Sequence, residues 1–369
     1  MKLLEPTQLS GIPLKNRMVM SAMTRSRADQ QGVVGDLTAR YYTQRAGAGM
    51  LLSEAINISR QAFGSPLTPG LFTEAQIEGW KRITREVHDH GGVLFAQLWH
   101  TGRVGHSVDR GGELPVAPSP VAIQGAQHFT SQGMKEYETP REITVDEIQQ
   151  TVKDYGQAAK NALAAGFDGV ELHAANGYLP NQFLSDSANH RTDAYGGSIP
   201  NKARFVLEVM EEIIAAVGGD KVGIKIGTLH PYGGMEYDDP VATYTYLIEQ
   251  LNTLDFSFVE LMRKNPYFPP PARYPEIDEV ELFGGMIRQT VIANAGYDRA
   301  SAEAELERGR VELISFGTPF IANPDLPERF ARNAELTQPD RATMFGGGEH
   351  GYTDYPPLGE SATAAVERD

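Results

Sequence analysis

The sequence predicts an α/β protein folded as a (β/α)8 (TIM) barrel, because eight short apolar runs typical of buried parallel strands alternate with helical patterns. A doubly wound sheet is the alternative, but such sheets usually stop at about five or six strands and carry a glycine-rich first turn. No G-x-G-x-x-G motif follows the first run. The predicted strands are Met18–Met23, Gly49–Glu54, Val93–Trp99, Gly169–His173, Val222–Ile226, Phe256–Leu261, Thr290–Ala295 and Leu313–Phe316.

Two further segments have clear local signals. A serine-glycine turn inside Thr7–Pro13 predicts a hairpin ahead of the first strand, where it can close the bottom of the barrel. Thr144 and Glu147 form a capping box, and the apolar stripe that follows predicts a helix over Val145–Ala164. Because barrels of this type often exceed the usual domain size, we expect a single domain over residues 1–369.

Two long loops interrupt the repeat. Residues 101–141 follow the third strand and residues 263–276 follow the sixth, and both segments are rich in proline or glycine. Loops after strands lie at the C-terminal face, where barrel active sites are built, so we expect these insertions to cover the site or line a substrate pocket. The composition of residues 360–369 predicts a disordered tail.

Composition excludes several classes of function. The net charge of -15 repels phosphate backbones, and no basic run occurs, which disfavours nucleic acid as a partner. No signal peptide and no stretch near ~18 apolar residues is present, so we expect a cytoplasmic protein without membrane association. The chain has no cysteine, so redox chemistry requires a bound cofactor. A monomer or a small homo-oligomer is expected.

The segment after the fourth predicted strand has the residues of a reaction centre. His173 and Asn176 are three positions apart, so both side chains can share one side of a turn and donate to a single carbonyl oxygen. Tyr178 lies two residues further on and can donate a proton. The alternative is an ordinary capped turn, for which Asn-Gly is common, and the motif alone leaves both interpretations open.

Metal and nucleophilic sites have weaker support. His100 and His173 follow adjacent strands, but no H-x-H or H-E-x-x-H motif and no third histidine at a strand end supports a metal centre. No G-x-S-x-G motif supports a serine nucleophile. We therefore expect no metal.

A phosphate site is predicted after the last two strands. Ala295-Gly296 follows the seventh strand and Gly317-Thr318 follows the eighth, and such small residues expose backbone N–H groups where this fold commonly binds phosphate. A glycine turn chosen only for its backbone conformation is the alternative.

Taken together, the motifs resemble the Old Yellow Enzyme family of FMN-dependent ene-reductases, especially bacterial members related to morphinone and nitrate-ester reductases. The resemblance covers almost the full length. It rests on Leu14-Lys15-Asn16-Arg17, Met23-Thr24-Arg25-Ser26-Arg27, Ser53-Glu54-Ala55, Gln97-Leu98-Trp99-His100-Thr101-Gly102-Arg103, His173 to Tyr178, Asn189 to Asp193, Tyr195 to Ser198, Phe316-Gly317, Ile321 to Pro327 and Gly351 to Pro356.

The resemblance implies that NAD(P)H reduces FMN and that hydride then passes to an activated C=C bond. By this resemblance His173 and Asn176 bind the substrate carbonyl, and Tyr178 donates the proton. It also implies that Thr24, Ala55 and Gln97 contact the flavin ring. Preference for NADPH or NADH does not follow from the sequence.

Two positions depart from the family pattern. Lys225 replaces an arginine at the electron-rich edge of the flavin, and it keeps the charge but loses the planar fork. Thr318 replaces the arginine that holds the FMN phosphate. We therefore expect weaker FMN retention than in typical members, with backbone N–H groups around Ala295, Gly296, Gly317 and Thr318 holding the phosphate.

The substrate is left open at this stage. Reduction of enones, enals, maleimides or nitroalkenes is the leading prediction, and reductive removal of nitrite from nitrate esters is an alternative at the same site. A flavin-free barrel that binds phenols is an alternative of a different class. The predicted pocket walls are Trp99, Phe129, Tyr267 and Tyr352.

Overall fold

Eight parallel strands close into a barrel in the computed structural model, which describes residues 1–264 and 268–359. Each strand pairs with the next one, and the last pairs with the first, so the predicted fold is confirmed. The strands are β1 (Met18–Met20), β2 (Met50–Leu52), β3 (Leu94–Trp99), β4 (Gly169–Ala174), β5 (Val222–Gly227), β6 (Phe258–Met262), β7 (Thr290–Asn294) and β8 (Leu313–Phe316).

Helices follow the strands around the outside of the barrel. The helix predicted after the third strand spans Val145–Ala164, and the capping box between Thr144 and Glu147 is formed. The other α-helices are Asp36–Gln44, Glu74–Asp89, Leu179–Leu184, Ile199–Val217, Pro240–Leu251, Arg299–Arg308, Thr318–Ala322 and Leu326–Arg332, with a π-helical turn at Val280–Gly284. No helix of the described segments is long and apolar enough to cross a membrane.

The lower half of the barrel interior is apolar. The rings of Phe95 and Phe258 meet there with centroids 5.7 Å apart, and a Cβ on Gly223 would lie 2.2 Å from the Phe258 ring. Glycine at that position therefore makes room for the ring. The N-terminal hairpin, formed by Thr7–Leu9 and Ile12–Leu14, packs Leu9 and Leu14 against this layer. It closes the bottom of the barrel as predicted.

Both predicted insertions lie beyond the C-terminal strand ends. Residues 101–141 contain a short 3-10 helix (Ser107–Arg110) and a hairpin (Gln127–Thr130 with Gly133–Glu136). Of the second insertion, residues 263–264 and 268–276 are described. The segment after the last helix packs back onto the barrel, where Arg25 donates through Nη2 to the Gly351 carbonyl at 2.7 Å. The predicted tail, residues 360–369, lies outside the described residues.

Candidate active site

The chain leaves β4 through a turn made of two residues in the left-handed region. Asn176 has φ +55° and Gly177 has φ +73°. A Cβ on Gly177 would lie 2.7 Å from the Tyr232 carbonyl oxygen, so only glycine fits this close approach. His173 lies near the C-terminal end of β4 and Asn176 lies in the turn, so both residues are at the mouth of the barrel.

Two of the residues predicted to react with substrate are in contact with each other. The Tyr178 ring packs edge-on against His173, with centroids 4.8 Å apart, and against Trp99, with centroids 5.0 Å apart. The Asn176 amide makes one weak contact, from Nδ2 to the Met262 sulfur at 3.6 Å. The structure therefore brings His173 and Tyr178 together with one predicted pocket residue, Trp99, and places Asn176 in the turn between His173 and Tyr178.

Burial sets the protonation state of this group. It lowers the pKa of His173 well below the usual value, and the nearby Lys225 ammonium lowers it further. Burial also raises the pKa of the Tyr178 phenol, with smaller contributions from Tyr232 and Tyr137. The imidazole is therefore neutral and the phenol protonated at neutral pH, and His173 Nδ1 is buried without a hydrogen-bond partner among the described residues.

Two side chains of the following helix hold the turn in place. Asn181 Oδ1 accepts from the Gly177 N–H at 2.9 Å, and Gln182 Nε2 donates to the Gly177 carbonyl at 2.7 Å. Asn181 Nδ2 donates in turn to the hydroxyls of Tyr237 at 2.6 Å and Tyr244 at 3.1 Å. This buried network fixes the backbone from which Asn176 projects.

A polar layer lies next to the apolar layer on the side of the mouth. Side chains of a strand alternate, so residues two positions beyond the apolar ones share the same interior face. Gln97 Nε2 donates to Glu171 Oε1 at 2.7 Å, and Lys225 Nζ lies 3.2 Å from Glu260 Oε2. Burial, together with Glu260, raises the pKa of Glu171 well above its usual value. The layer contains Ser21, Gln97, Glu171, Lys225, Glu260, Asn294 and Ser315.

The ends of β1 and β2 are tied together by a buried carboxylate. Glu54 Oε2 accepts from the backbone N–H groups of Arg25 at 3.0 Å and Ser26 at 3.2 Å. Thr24 directly precedes Arg25 and Ala55 directly follows Glu54, so both residues lie at the mouth of the barrel. Burial raises the pKa of Glu54 to about 7, against the effect of these N–H donors.

The ends of β7 and β8 carry backbone donors without acceptors. Asn294 of β7 pairs with Ser315 of β8, so the segments Ala295-Gly296 and Gly317-Thr318 leave the ends of two adjacent strands. Among the described residues, none accepts a hydrogen bond from the backbone N–H of Gly296, Gly317 or Thr318. Such donors fit a phosphate group, and the buried amide, ammonium and imidazole at the mouth fit the polar edge of a flavin. The residues present therefore fit FMN.

Two other predicted pocket residues differ sharply in exposure. Tyr352 is fully buried, because its ring stacks on Tyr41 with centroids 4.3 Å apart and the Arg27 guanidinium covers it. Phe129 lies on the outer face of its hairpin with 54% of its surface exposed, since the alternate residues His128 and Thr130 point inward. That both residues line the substrate pocket stays a prediction. Tyr267 lies outside the described residues.

Sequence reasoning missed the aromatic residues that surround Tyr178. Tyr232 follows β5, and its ring packs edge-on against Phe268 with centroids 5.2 Å apart. The segment Tyr232-Gly233-Gly234 after β5 could have indicated an aromatic residue at the mouth of the barrel. It also missed two buried pairs, Gln97 with Glu171 and Lys225 with Glu260. The signal for these pairs was a glutamate inside each of two apolar strand runs.

Comparison with known proteins decides the family. Residues 2–337 match the model of the NADH:flavin oxidoreductase / NADH oxidase family. The chain belongs to this family. A probable flavin mononucleotide-dependent alkene reductase from Leishmania infantum is 39% identical over 96% of this chain and 97% of its own length. The prediction of an FMN-dependent oxidoreductase with a nicotinamide reductant is therefore confirmed.

Solved structures of the family agree with this assignment. Morphinone reductase in complex with tetrahydroNAD superposes with a TM-score of 0.90 and 43% identity, over 97% of this chain and 98% of that one. An old yellow enzyme homologue from Zymomonas mobilis superposes with a TM-score of 0.92 and 38% identity, over 96% and 99%. The predicted Old Yellow Enzyme resemblance is thus confirmed.

Proposed function

We propose that this enzyme reduces activated C=C bonds of α,β-unsaturated carbonyl compounds and nitroalkenes, with FMN as cofactor and NAD(P)H as reductant. The observation that carries the proposal is the contact between the neutral His173 imidazole and the protonated Tyr178 phenol, with the Asn176 amide in the turn between these two residues. The alkene reductase named among the relatives supports the reaction type.

The chain supplies the donors that stabilise developing charge. Reduced FMN, when bound, supplies the hydride that adds to the β-carbon of the substrate. Negative charge then moves to the carbonyl or nitro oxygen, where the neutral imidazole of His173 and the amide of Asn176 donate hydrogen bonds. The neutral imidazole can make this hydrogen bond because one of its two ring nitrogens carries a hydrogen.

Tyr178 completes the reaction with a proton for the α-carbon. Burial keeps the phenol protonated, and the edges of His173 and Trp99 fix the orientation of its ring. Its proton is therefore delivered from one defined side of the substrate. Water returns the proton to Tyr178 after the product leaves.

The proposed flavin contacts come from the other strand ends. Thr24, Ala55 and Gln97 face the ring, and Lys225 supplies positive charge at its electron-rich edge. The backbone donors at Ala295, Gly296, Gly317 and Thr318 face the phosphate. The cytoplasmic location and the monomeric or small homo-oligomeric state stay predictions.

The test is anaerobic turnover with 2-cyclohexenone, β-nitrostyrene and glyceryl trinitrate, each with NADPH and with NADH. We expect both alkenes to be reduced, and a charge-transfer band to appear when p-hydroxybenzaldehyde binds to the FMN-loaded enzyme. Turnover of glyceryl trinitrate alone would instead assign nitrate-ester reduction. Binding of the phenol without any alkene turnover would contradict the proposal.

A further inference from the structure

Arg263 directly follows β6 and is fixed against the segment after β7. Its backbone N–H donates to the Asn294 carbonyl at 3.2 Å, and its Nε donates to the Ala295 carbonyl at 2.7 Å. The guanidinium carbon lies 3.7 Å from the centroid of the Tyr297 ring. These three contacts hold a half-buried cation beside the turn that carries Ala295 and Gly296.

The guanidinium keeps unused donors that face this turn. Its Nη2 lies 3.8 Å from the position that a Cβ on Gly296 would take. Within the described segments, neither terminal nitrogen donates a hydrogen bond, and no carboxylate lies within 4.0 Å of the charge. The buried carboxylate of this region, Glu279, instead accepts through Oε1 from the Lys264 N–H at 2.6 Å. Burial raises the pKa of Glu279 and the Arg263 charge acts to lower it, so the two groups interact at longer range than an ion pair. The terminal nitrogens of Arg263, which make no hydrogen bond within the described segments, can still bind an anion.

The turn itself is built for a ligand. Ala295 has φ +80° and Gly296 has φ +74°, and a left-handed alanine costs free energy that surrounding structure must offset. Two successive residues of this kind direct the following N–H groups outward, as in backbone sites that bind anions. The N–H groups of Gly296, Gly317 and Thr318 find no acceptor among the described residues. Gly296 thus lies beside Arg263, and Gly317 and Thr318 follow the neighbouring strand.

We propose that Arg263 binds the FMN phosphate and replaces, from another strand, the charge that Thr318 does not supply. The two terminal nitrogens of Arg263, which donate no hydrogen bond within residues 1–264 and 268–359, can form a bidentate contact with a phosphate, whereas the Thr318 hydroxyl offers one neutral hydrogen bond. The proposal rests on FMN as the cofactor and not on the alkene as substrate. It predicts that FMN retention depends on residue 263 more than on residue 318.

The experiment compares two flavins that differ in the phosphate alone. Full-length protein is freed of flavin and titrated with FMN and with riboflavin, and the quenching of flavin fluorescence gives each Kd. Arg263→Gln should weaken FMN binding by about 10- to 100-fold and leave riboflavin binding unchanged. Arg273→Gln is the matched control, because Arg273 stacks on Tyr274 in the same loop but pairs with Glu236 at 2.9 Å. It should leave both constants unchanged.

A second variant separates phosphate binding from folding. Thr318→Arg in the Arg263→Gln background should restore FMN affinity, and it should do so by a larger factor than Thr318→Arg in the parent protein. Unchanged FMN binding by Arg263→Gln, or an equal loss for both flavins, would overturn the proposal. If the parent protein binds FMN but does not reduce alkenes, the proposed function is contradicted, and the proposal that Arg263 binds the FMN phosphate is not affected.

Discussion

The turns after β4 and β7 use the same backbone device for opposite purposes. Each contains two successive left-handed residues, Asn176-Gly177 in one and Ala295-Gly296 in the other. Asn181 accepts from the Gly177 N–H, whereas the Gly296 N–H has no acceptor among the described residues. The first turn is satisfied within the protein and orients side chains for chemistry, while the second leaves its donors for a ligand. Orienting a catalytic side chain requires hydrogen bonds within the protein, whereas binding an anion requires N–H donors that have no acceptor within the protein.

The largest effect is expected at the β4 turn. His173→Ala removes one of two donors to the substrate oxygen, so hydride transfer to 2-cyclohexenone should slow by about 100- to 1,000-fold. Anaerobic stopped-flow oxidation of the reduced enzyme measures this rate. His88→Ala is the control, since His88 contacts Asp168 at the surface, away from the mouth. A His173→Ala rate within threefold of the parent would show that this turn does not bind the carbonyl.

The hydrogen bond that Asn181 makes to the same turn can be removed by substitution of Asn181. Asn181→Ala leaves the Gly177 N–H and two tyrosine hydroxyls short of a partner, so the free energy of unfolding should fall by about 1–3 kcal/mol. Urea denaturation measures this loss, and alkene turnover should fall with it. Asn252→Ala is the control, because Asn252 bonds Met286 and Arg288 outside the mouth. Unchanged turnover in Asn181→Ala would mean that Asn176 is oriented without this network.

A smaller effect is expected in the polar layer between the two turns. Glu260 lies beside Lys225 and offsets part of its charge, so Glu260→Gln should leave more positive charge for the reduced flavin. The midpoint potential of bound FMN should rise by tens of millivolts, where about 30 mV corresponds to 1.4 kcal/mol for two electrons. Dye-coupled redox titration measures it, with Asp325→Asn, from the Asp325–Arg329 pair, as control. A lower or unchanged potential would contradict this electrostatic role.

The smallest expected effect is that of pH on the rate of hydride transfer. Because the pKa of His173 is lowered, its imidazole stays neutral as pH falls through about 6.5, and because the pKa of Tyr178 is raised, its phenol stays protonated toward pH 10. Hydride transfer should therefore be level from about pH 6 to 9.5. Glu54 titrates inside this range, with a pKa of about 7, so the profile is compared with that of Glu54→Gln. A step near pH 6.5 in both proteins would show that His173 ionises.

The sequence by itself determined the barrel and the chemistry at its mouth. Apolar runs bounded by turns locate all eight strands, because a parallel strand buried on both faces is rich in apolar residues. The residues His173, Asn176 and Tyr178 are close in sequence, so a local turn is enough to bring them together. The capped helix Val145–Ala164 follows from local signals in the same way.

Only the tertiary structure decided which distant residues meet. Long-range packing stacks Tyr352 on Tyr41 and leaves Phe129 exposed on its hairpin, and neither placement follows from the local sequence. Arg263 lies 55 positions before Thr318 in the numbering, and only closure of the barrel places it beside the turn after β7. Contacts between strand ends depend on how the barrel closes, and no local pattern encodes that geometry.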